Sequence, residues 1–333
     1  MKTITKTNYM KNIFFLALVF IGTTLVAQEE AEEKKPLSIS GSVDAYYKTN
    51  LSSTDIGSQE PGSSFANETG FALGMANIIA SYEGAKTGAV ADLAFGPRGD
   101  DAVGGDALNV NQLYAYWNVT EGTKLTLGRF NTFLGYEVIS PVANFNYSTS
   151  YLFSSGPFSH VGLKADFALS DDFSLMLAVM NVTDENYNGT STGSVPGAYS
   201  LGAQLGYSGQ FLNFYFDYTG GFDLSEDFFL GINAAYADND GEGFSGVALY
   251  PQLATSESFS LGLRGEYFTT HSDAVGDDPS IFAATLTGSY TIENLIIKPE
   301  LRLDNGSEEI YFDNDLAPTK SLSSFLIAAI YSF

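Results

Sequence analysis

The chain has 333 residues, of which 44% are hydrophobic, yet its mean hydropathy is only +0.01. A helical membrane protein needs several apolar runs of about 18 or more residues, and the only run near that type lies at the N-terminus. The formal net charge of −24 is opposite in sign to the charge that nucleic-acid binding requires. The absence of Cys excludes disulfides and a lipid-modified cysteine. The abundance of Gly, Tyr, Phe, Ser and Asn suits many strands joined by polar loops.

Residues 1–27 predict a secretory signal peptide. A basic segment comes first and contains Lys2, Lys6 and Lys11. An apolar core follows over 13–21, and Ala27 supplies a small residue at the expected cleavage site. This core is too short for a membrane anchor, so we expect the protein to be exported. Met10 is an alternative initiator.

Beyond the signal peptide, the sequence predicts a short charged tail at 28–36 and one folded unit at 37–333. The folded unit alternates between apolar and polar residues with a period of two, which indicates β-strands with two different faces. In the first strand, one face carries Leu37, Ile39, Val43, Ala45, Tyr47 and Leu51. The alternation returns near 160–169, 259–267, 295–304 and 325–333. The first strand is longer than a typical globular strand, as a tilted barrel strand should be.

Connections between the predicted strands alternate in length. The short ones lie near 83–86, 120–123, 170–172 and 292–294. The long ones cover about 52–70, 96–108, 131–158, 183–197, 270–280 and 305–320. Short turns at one end and long loops at the other are typical of outer-membrane barrels.

Charged side chains recur in the middle of strands, on the polar face, and they distinguish a membrane barrel from a soluble one. A small soluble barrel would fill its interior with apolar side chains. A membrane barrel instead turns its polar face to a watery lumen and its apolar face to lipid. Lipid cannot satisfy an open strand edge, so the barrel must close. We therefore predict an all-β, transmembrane, antiparallel up-and-down β-barrel in the bacterial outer membrane.

The strand number is harder to read from the sequence. About fifteen segments resemble strands, but a bacterial single-chain barrel has an even number. The difficult region is 211–227, where Thr219, Gly220 and Gly221 could form a tight hairpin turn. A total of about 16 strands is preferred, and about 14 is the alternative.

Charged residues on the polar faces or at a strand end are candidates for lining a pore. They are Asp44, Lys48, Arg129, Lys164, Asp166, Arg264, Glu266, Lys298, Glu300 and Arg302. Rows of opposite charge could set up a transverse field that orders passing solutes, or could form interstrand salt bridges that stiffen the wall. Acidic residues in the loops, such as Asp100 and Asp101, predict a preference for cations.

The longest loop, 131–158, is unusually aromatic for a connection that would face solvent. Its candidate constriction residues are Phe133, Tyr136, Glu137, Phe145, Tyr147 and Tyr151. One interpretation folds the loop into the barrel mouth as a constriction. The other packs it on the rim without a role in selection, and both stay open. We expect a lumen without an apolar plug, because charged residues recur on the polar faces.

The last strand has an apolar residue at every second position and ends on an aromatic ring. These residues are Phe325, Ile327, Ala329, Tyr331 and Phe333. Outer-membrane proteins commonly end in this way, and the barrel-assembly machinery reads the pattern. The predicted partners are therefore outer-membrane lipid, the assembly machinery and small solutes, without nucleic acid. A homo-oligomer is left open.

The histidines and acidic turns give little support for catalysis or a metal site. An outer-membrane lipid hydrolase would need Ser and His on the lipid face. His160 has the parity of the polar face, and His271 is predicted to lie in a loop. The stretch 238–243 resembles the start of a calcium loop, but Leu249 stands where an EF-hand needs Glu. We predict no enzyme, no cofactor and no metal site, with loose Ca²⁺ binding by loop carboxylates as an alternative.

Several short motifs resemble the OmpL-like β-barrel porins, a family well represented in Bacteroidetes. They are Gln112-x-Tyr114-x-Tyr116, Leu125-x-Leu127-Gly128-Arg129-Phe130, Gly135-Tyr136-Glu137 and Gly156-Pro157-x-x-His160-x-Gly162. The chain departs from the family pattern after Asn181, where Val182 and Thr183 stand in place of Gly-Trp. The resemblance implies an outer-membrane porin without a known cofactor, and it does not identify the solute.

Two functions are compatible with these features. The favoured one is passive diffusion of small hydrophilic solutes or ions through a charged, water-filled lumen. The alternative is a structural or adhesive outer-membrane barrel with a plugged lumen, whose acidic loops bind partners or Ca²⁺.

Overall fold

In the computed structural model, sixteen antiparallel strands among the described residues form a closed up-and-down barrel. The structure describes residues 36–54, 59, 64–103, 109–181, 199–207, 210–213, 217–239, 241–273 and 278–333. The predicted signal peptide, nearly all of the charged tail, and the two residues that depart from the family pattern lie outside the described residues. The all-β class and the even strand number confirm the predicted fold.

The barrel strands are β1 (Leu37–Asn50), β2 (Gly70–Glu83), β3 (Thr87–Phe95), β4 (Val110–Thr120), β5 (Thr123–Asn131), β6 (Ser159–Ala168), β7 (Phe173–Asn181), β8 (Tyr199–Tyr207), β9 (Gln210–Asn213), β10 (Asp217–Asp223), β11 (Phe228–Asn239), β12 (Glu242–Ala254), β13 (Phe259–Ser272), β14 (Ser280–Ile292), β15 (Leu295–Gly306) and β18 (Ser321–Ser332). Two short strands, β16 (Tyr311–Phe312) and β17 (Pro318–Thr319), pair with each other between β15 and β18. Helix α1 (Pro97–Val103) follows β3, and helix α2 (Tyr151–Ser155) lies between β5 and β6. None of the helices in the described part of the chain is long and apolar enough to cross a membrane.

Side chains alternate between the two faces of the barrel wall, as the period-two pattern predicts, and a β-bulge between Leu73 and Ala76 reverses the alternation within β2. Ile39 and Phe71 point outward and are 63% and 92% exposed. Ser42 and Asn77 point inward and are 2% and 5% exposed. An apolar outward face is stable against lipid, because the closed ladder of hydrogen bonds leaves no strand edge unpaired.

The barrel closes between its first and last strands. β1 and β18 pair from Ser42 opposite Ser332 to Asn50 opposite Ser324. At the end of this seam, the backbones of Gly41 and Phe333 exchange two hydrogen bonds, each 3.0 Å long. The alternating apolar residues of β18 and the terminal Phe333 lie on the outward parity, and their recognition by the assembly machinery stays a prediction.

The region that made the strand count odd contains two short strands. β9 and β10 are antiparallel neighbours, with Asp217 opposite Asn213, and their connection at 214–216 lies outside the described residues. The suggested turn at 219–221 is wrong, because these residues lie within β10 and pair with 231–233 of β11.

Strand β13 extends further than the sequence predicts. It ends at Ser272, so His271 belongs to a strand and not to a loop. His271 shares its parity with Leu263 and Tyr267, which are 43% and 51% exposed on the outer face. His271 is therefore on the outward parity, at the end of the barrel that carries the long loops.

Gly41 provides a test of the closing seam. A Cβ on Gly41 would lie 2.2 Å from the carbonyl oxygen of Asn77 and 2.9 Å from the ring of Phe333. Because the Asn77 carbonyl belongs to a paired strand, we expect Gly41→Ala to lower the free energy of unfolding by about 1–3 kcal/mol. Urea unfolding of the barrel in lipid vesicles measures this change. Gly265→Ala is the matched control, because a Cβ there would meet nothing within 4 Å; an equal loss in both variants would contradict the packing.

Candidate functional site

The long connection between β5 and β6 lies inside the barrel. This segment, residues 132–158, is called the lumen loop, and it includes α2. Tyr147 and Thr149, near its centre, are both 0% exposed. An irregular segment in the interior carries backbone N–H and C=O groups that no strand pairs, and burying them without partners is costly. The barrel wall supplies those partners.

Two wall carboxylates accept hydrogen bonds from backbone amides of the lumen loop. Glu266 on β13 accepts from the amides of Tyr151 at 2.9 Å and Leu152 at 2.8 Å. Glu300 on β15 accepts from the amide of Tyr147 at 2.9 Å. Hydrogen bonds to an ionised acceptor are stronger than neutral ones, so the two carboxylates fix the centre of the loop.

Two wall cations bind carbonyl groups of the same loop. The Lys298 ammonium donates to the carbonyls of Pro141 at 2.8 Å and Asn144 at 2.5 Å. The Arg302 guanidinium donates to the carbonyl of Thr149 at 3.0 Å. Lys298, Glu300 and Arg302 of β15 therefore hold successive parts of the lumen loop.

One buried ion pair joins the loop to the wall. Nη1 of Arg264 lies 2.7 Å from Oε1 of Glu137, and the two side chains are 0% and 3% exposed. The Arg264 guanidinium also donates to the carbonyl of Ser148 at 2.6 Å, and Glu137 accepts from the amide of Ser150 at 2.7 Å. The structure thus brings together a predicted pore residue and a predicted constriction residue.

Strand β1 contributes two further contacts. The Tyr147 hydroxyl donates to Oδ2 of Asp44 at 2.5 Å. Burial, reinforced by the Asp44 carboxylate, raises the pKa of the Tyr147 phenol well above its usual value, so the phenol remains a donor. The Lys48 ammonium donates to the carbonyl of Ala66 in the first long loop at 2.8 Å.

Helix α1 supplies a cation that sequence reasoning missed. Arg98 is 1% exposed and donates to the carbonyls of Ile139 at 2.8 Å and Tyr147 at 3.1 Å. The sequence predicts a loop over about 96–108, where the structure has this helix. The signal that could have found the helix is Pro97 at its first position, where proline is favoured.

Aromatic rings of the lumen loop lie against glycines of the wall. The pairs are Phe133 with Gly202, Tyr136 with Gly231 and Phe145 with Gly262, where a Cβ on the glycine would lie 2.6, 2.6 and 2.4 Å from the ring. The Tyr136 ring also stacks on Tyr250, with ring centroids 4.2 Å apart. Glycines on the inward parity of β8, β11 and β13 are the sequence signal that marks these close approaches.

Apolar side chains fill the space between the lumen loop, α1 and the wall. One cluster includes Phe65, Met75, Ile139 and Phe153, and another includes Tyr151, Leu152, Tyr250 and Phe268. The expectation of a lumen without apolar filling is therefore wrong. A small cavity among Lys48, Glu300 and Arg302 has room for about one water molecule.

The remaining predicted pore residues lie on β5 and β6. Nε of Arg129 donates to the carbonyl of Asn111 at 3.2 Å. Lys164 and Asp166 form an ion pair at 3.2 Å, with side chains 24% and 38% exposed. These two residues are more exposed than the charges of β13 and β15. Within the described ranges, no group of three or more His or acidic side chains is arranged to hold a metal ion.

The Arg264–Glu137 pair tests how the loop is anchored. Removing one partner of a buried ion pair leaves an uncompensated charge and costs about 3–5 kcal/mol. We expect Arg264→Met and Glu137→Leu each to lower the unfolding free energy by about this amount, and the double variant to lose much less than their sum. Urea unfolding in vesicles measures the coupling. The exposed pair Lys164→Met and Asp166→Leu is the control, with an expected coupling of about 1 kcal/mol or less; similar coupling in both pairs would contradict the buried anchor.

Two solved outer-membrane proteins are similar to this fold. An anion-selective porin from Comamonas acidovorans matches with a TM-score of 0.55 and 10% identity, over 89% of this chain and 99% of that chain. OmpT of Vibrio cholerae matches with a TM-score of 0.51 and 12% identity, over 89% of this chain and 97% of that chain. At these identities the likeness shows the fold alone. None of the curated proteins matches the sequence.

A family comparison covers almost all of the folded unit. Residues 36–333 match the model of the family described as "Putative beta-barrel porin-2, OmpL-like". The match agrees with the motifs in β4, β5, β6 and the lumen loop. The chain therefore belongs to the OmpL-like β-barrel porins, and its strands cross the bacterial outer membrane.

Proposed function

We propose that the protein is a passive channel for small hydrophilic solutes or ions, with a narrow passage along the lumenal wall of β4, β5 and β6. Charged side chains of β1, β13 and β15 bind the lumen loop, and its rings pack against β8, β11 and β13. The family assignment supports a channel. Passive diffusion of a solute through a channel requires no covalent chemistry.

The proposed passage beside β6 depends on a comparison between two inward-facing lysines, Lys298 and Lys164. Lys298 on β15 and Lys164 on β6 both point inward at similar distances from a short turn. Lys298 is 2% exposed because the lumen loop covers it, whereas the Lys164 side chain is 24% exposed. The two lysines lie at a similar depth, so the greater exposure of Lys164 supports open space beside β6.

The side chains along this wall suit hydrated solutes. The Lys124 ammonium lies 4.1 Å from the centre of the Tyr116 ring, and Lys124 is opposite Asp166 on the neighbouring strand. Sequence reasoning did not select Lys124. An aromatic face beside charges of both signs can contact polar solutes of either charge.

Glu300 provides a test of the lumen loop as the constriction. Glu300→Gln removes the charge that binds the loop amides, so the loop should loosen. We expect single channels in planar bilayers to show a larger unit conductance and more flicker than the unmodified protein. Asp166→Asn is the matched control, because Asp166 pairs with Lys164. Identical current noise in both variants would contradict the loop's role, and a folded protein that never conducts would contradict the channel itself.

Ion selectivity tests whether ions pass along β5 and β6. The acidic loops at the mouth favour cations, and the lysines of β5 and β6 oppose that preference. We expect Lys124→Gln combined with Lys164→Gln to move the reversal potential in a salt gradient toward stronger cation preference. Lys320→Gln, at an exposed position of the last long loop, is the control. A shift no larger than that of the control would contradict passage along β5 and β6.

The filled side of the lumen gives the structural or adhesive barrel its one specific support. In that case the lumen loop would be a permanent plug, and the acidic loops would bind partners or Ca²⁺. The absence of conductance in both the unmodified protein and Glu300→Gln, with calcium binding retained, would favour this function.

A further inference from the structure

Three side chains on the outward face meet at the end of the barrel that carries the long loops. Nε2 of His271 lies 2.8 Å from Oγ of Ser245, and Nδ1 of His271 lies 3.0 Å from Oδ2 of Asp278. Each ring nitrogen thus has one partner, a hydroxyl on one side and a carboxylate on the other. This arrangement of nucleophile, base and orienting acid is recognised by its geometry and not by the order of residues in the chain.

The strand register accounts for the first contact. Ser245 on β12 is directly opposite Thr269 on β13, and His271 is two residues further along. Side chains diagonal to each other on one face of an antiparallel pair are within reach when one of them is long. Asp278 lies near the end of β13, and next to it the Thr270 amide donates to the carbonyl of Pro279 at 3.1 Å.

The carboxylate determines where the imidazole proton lies. An ionised Asp278 can only accept, so in the neutral imidazole Nδ1 carries the proton and Nε2 is left to accept from the Ser245 hydroxyl. The hydrogen bond from His271 lowers the pKa of Asp278, which keeps that carboxylate ionised. This is the proton arrangement that a serine nucleophile needs before it attacks.

The cluster lies where lipid esters would reach it. Ser245 shares its parity with Val247 and Leu249, which are 43% and 45% exposed on the outer face. Tyr236 is directly opposite Ser245 on β11, and its ring lies 5.9 Å from that of His271. Aromatic residues at strand ends are typical of the boundary between acyl chains and headgroups, which is the depth of the ester bonds.

We propose that Ser245, His271 and Asp278 form a serine hydrolase site on the outer face of the barrel, which cleaves acyl esters of membrane lipids. The site is separate from the lumen, so it goes beyond the proposed channel function.

The reaction has two balanced steps. Ser245 Oγ attacks the ester carbonyl carbon while His271 Nε2 takes the hydroxyl proton, and the alcohol leaves with that proton to give an acyl-serine. Water then attacks the acyl-serine, again with His271 taking and returning a proton. The products are a fatty acid, a lysolipid and the original serine.

The negative charge beside the cluster limits which lipid headgroups can bind there as substrates. Asp273 shares the outward parity of His271 and joins Asp278 at this strand end, where the Asp273 amide donates to the carbonyl of Gly241 at 3.0 Å. Carboxylates at this position repel anionic headgroups. Zwitterionic phospholipids are therefore the expected substrates.

A fluorophosphonate probe tests the nucleophile in the folded, full-length barrel. We expect labelling of the unmodified protein at Ser245, located by peptide mass spectrometry. Ser245→Ala should abolish the labelling, and His271→Ala and Asp278→Asn should slow it by about 10²-fold or more. Ser272→Ala is the matched control, because Ser272 is on the inward parity at the same strand end and its hydroxyl donates to Glu242. The mobility of unheated barrel on a denaturing gel shows that each variant is folded.

Lipid turnover is measured in parallel as fatty acid released from dioleoylphosphatidylcholine vesicles that contain the barrel. Release by the unmodified protein and by Ser272→Ala, together with its loss in Ser245→Ala, is the expected result. The proposal is overturned if the unmodified protein is not labelled, if Ser245→Ala is labelled equally, or if labelling occurs without release of fatty acid. Unchanged channel conductance in Ser245→Ala would show that the site acts independently of the lumen.

Discussion

The backbone of the lumen loop imposes the main constraint on the interior of this barrel. Barrel strands satisfy their own N–H and C=O groups through the closed ladder, but the irregular segment at 132–158 has no strand partner. Carboxylates of the wall accept from its amides, and ammonium and guanidinium groups donate to its carbonyls. These contacts also compensate the wall charges for their loss of water. The loop and the charges therefore stabilise each other, because either would be costly to bury alone.

This mutual dependence changes what the charged wall can do for a passing solute. A group such as Glu300 or Arg302 that is bound to loop backbone has a fixed partner and little contact with water. Its field is largely compensated at short range, so it contributes less to selection than its charge suggests. The partly exposed pair of Lys164 and Asp166 keeps contact with solvent. In the proposed channel, the structural role would belong to β13 and β15 and the selective role to β5 and β6.

The sequence predicts the barrel because parity states which side chains of a strand face lipid, as in β1 and β15. Parity alone does not reveal the β-bulge in β2, which reverses the faces so that Phe71 is 92% exposed and Asn77 only 5%. Parity does not state the path of a loop, so the partners of Arg264 and Glu300 could not be derived. The strand count was uncertain because paired glycines usually mark a turn. In β10, Gly220 instead leaves room for its neighbours, since a Cβ would lie 3.0 Å from the Tyr218 hydroxyl. His271 was misplaced because pairing with Gly243 extends β13 into a segment that looks like a loop.

One strand can serve two sites because successive side chains point to opposite faces. On β13, Arg264 and Glu266 point inward to the lumen loop, whereas His271 is on the outward parity near Ser245. The backbone between them is paired with β12 throughout and with β14 as far as Thr269, so the strand keeps its position when one side chain is exchanged. Changes on the outward face therefore leave the loop anchors in place. The barrel wall separates the chemistry of the lumen from that of the lipid face, although both are encoded within the same strand.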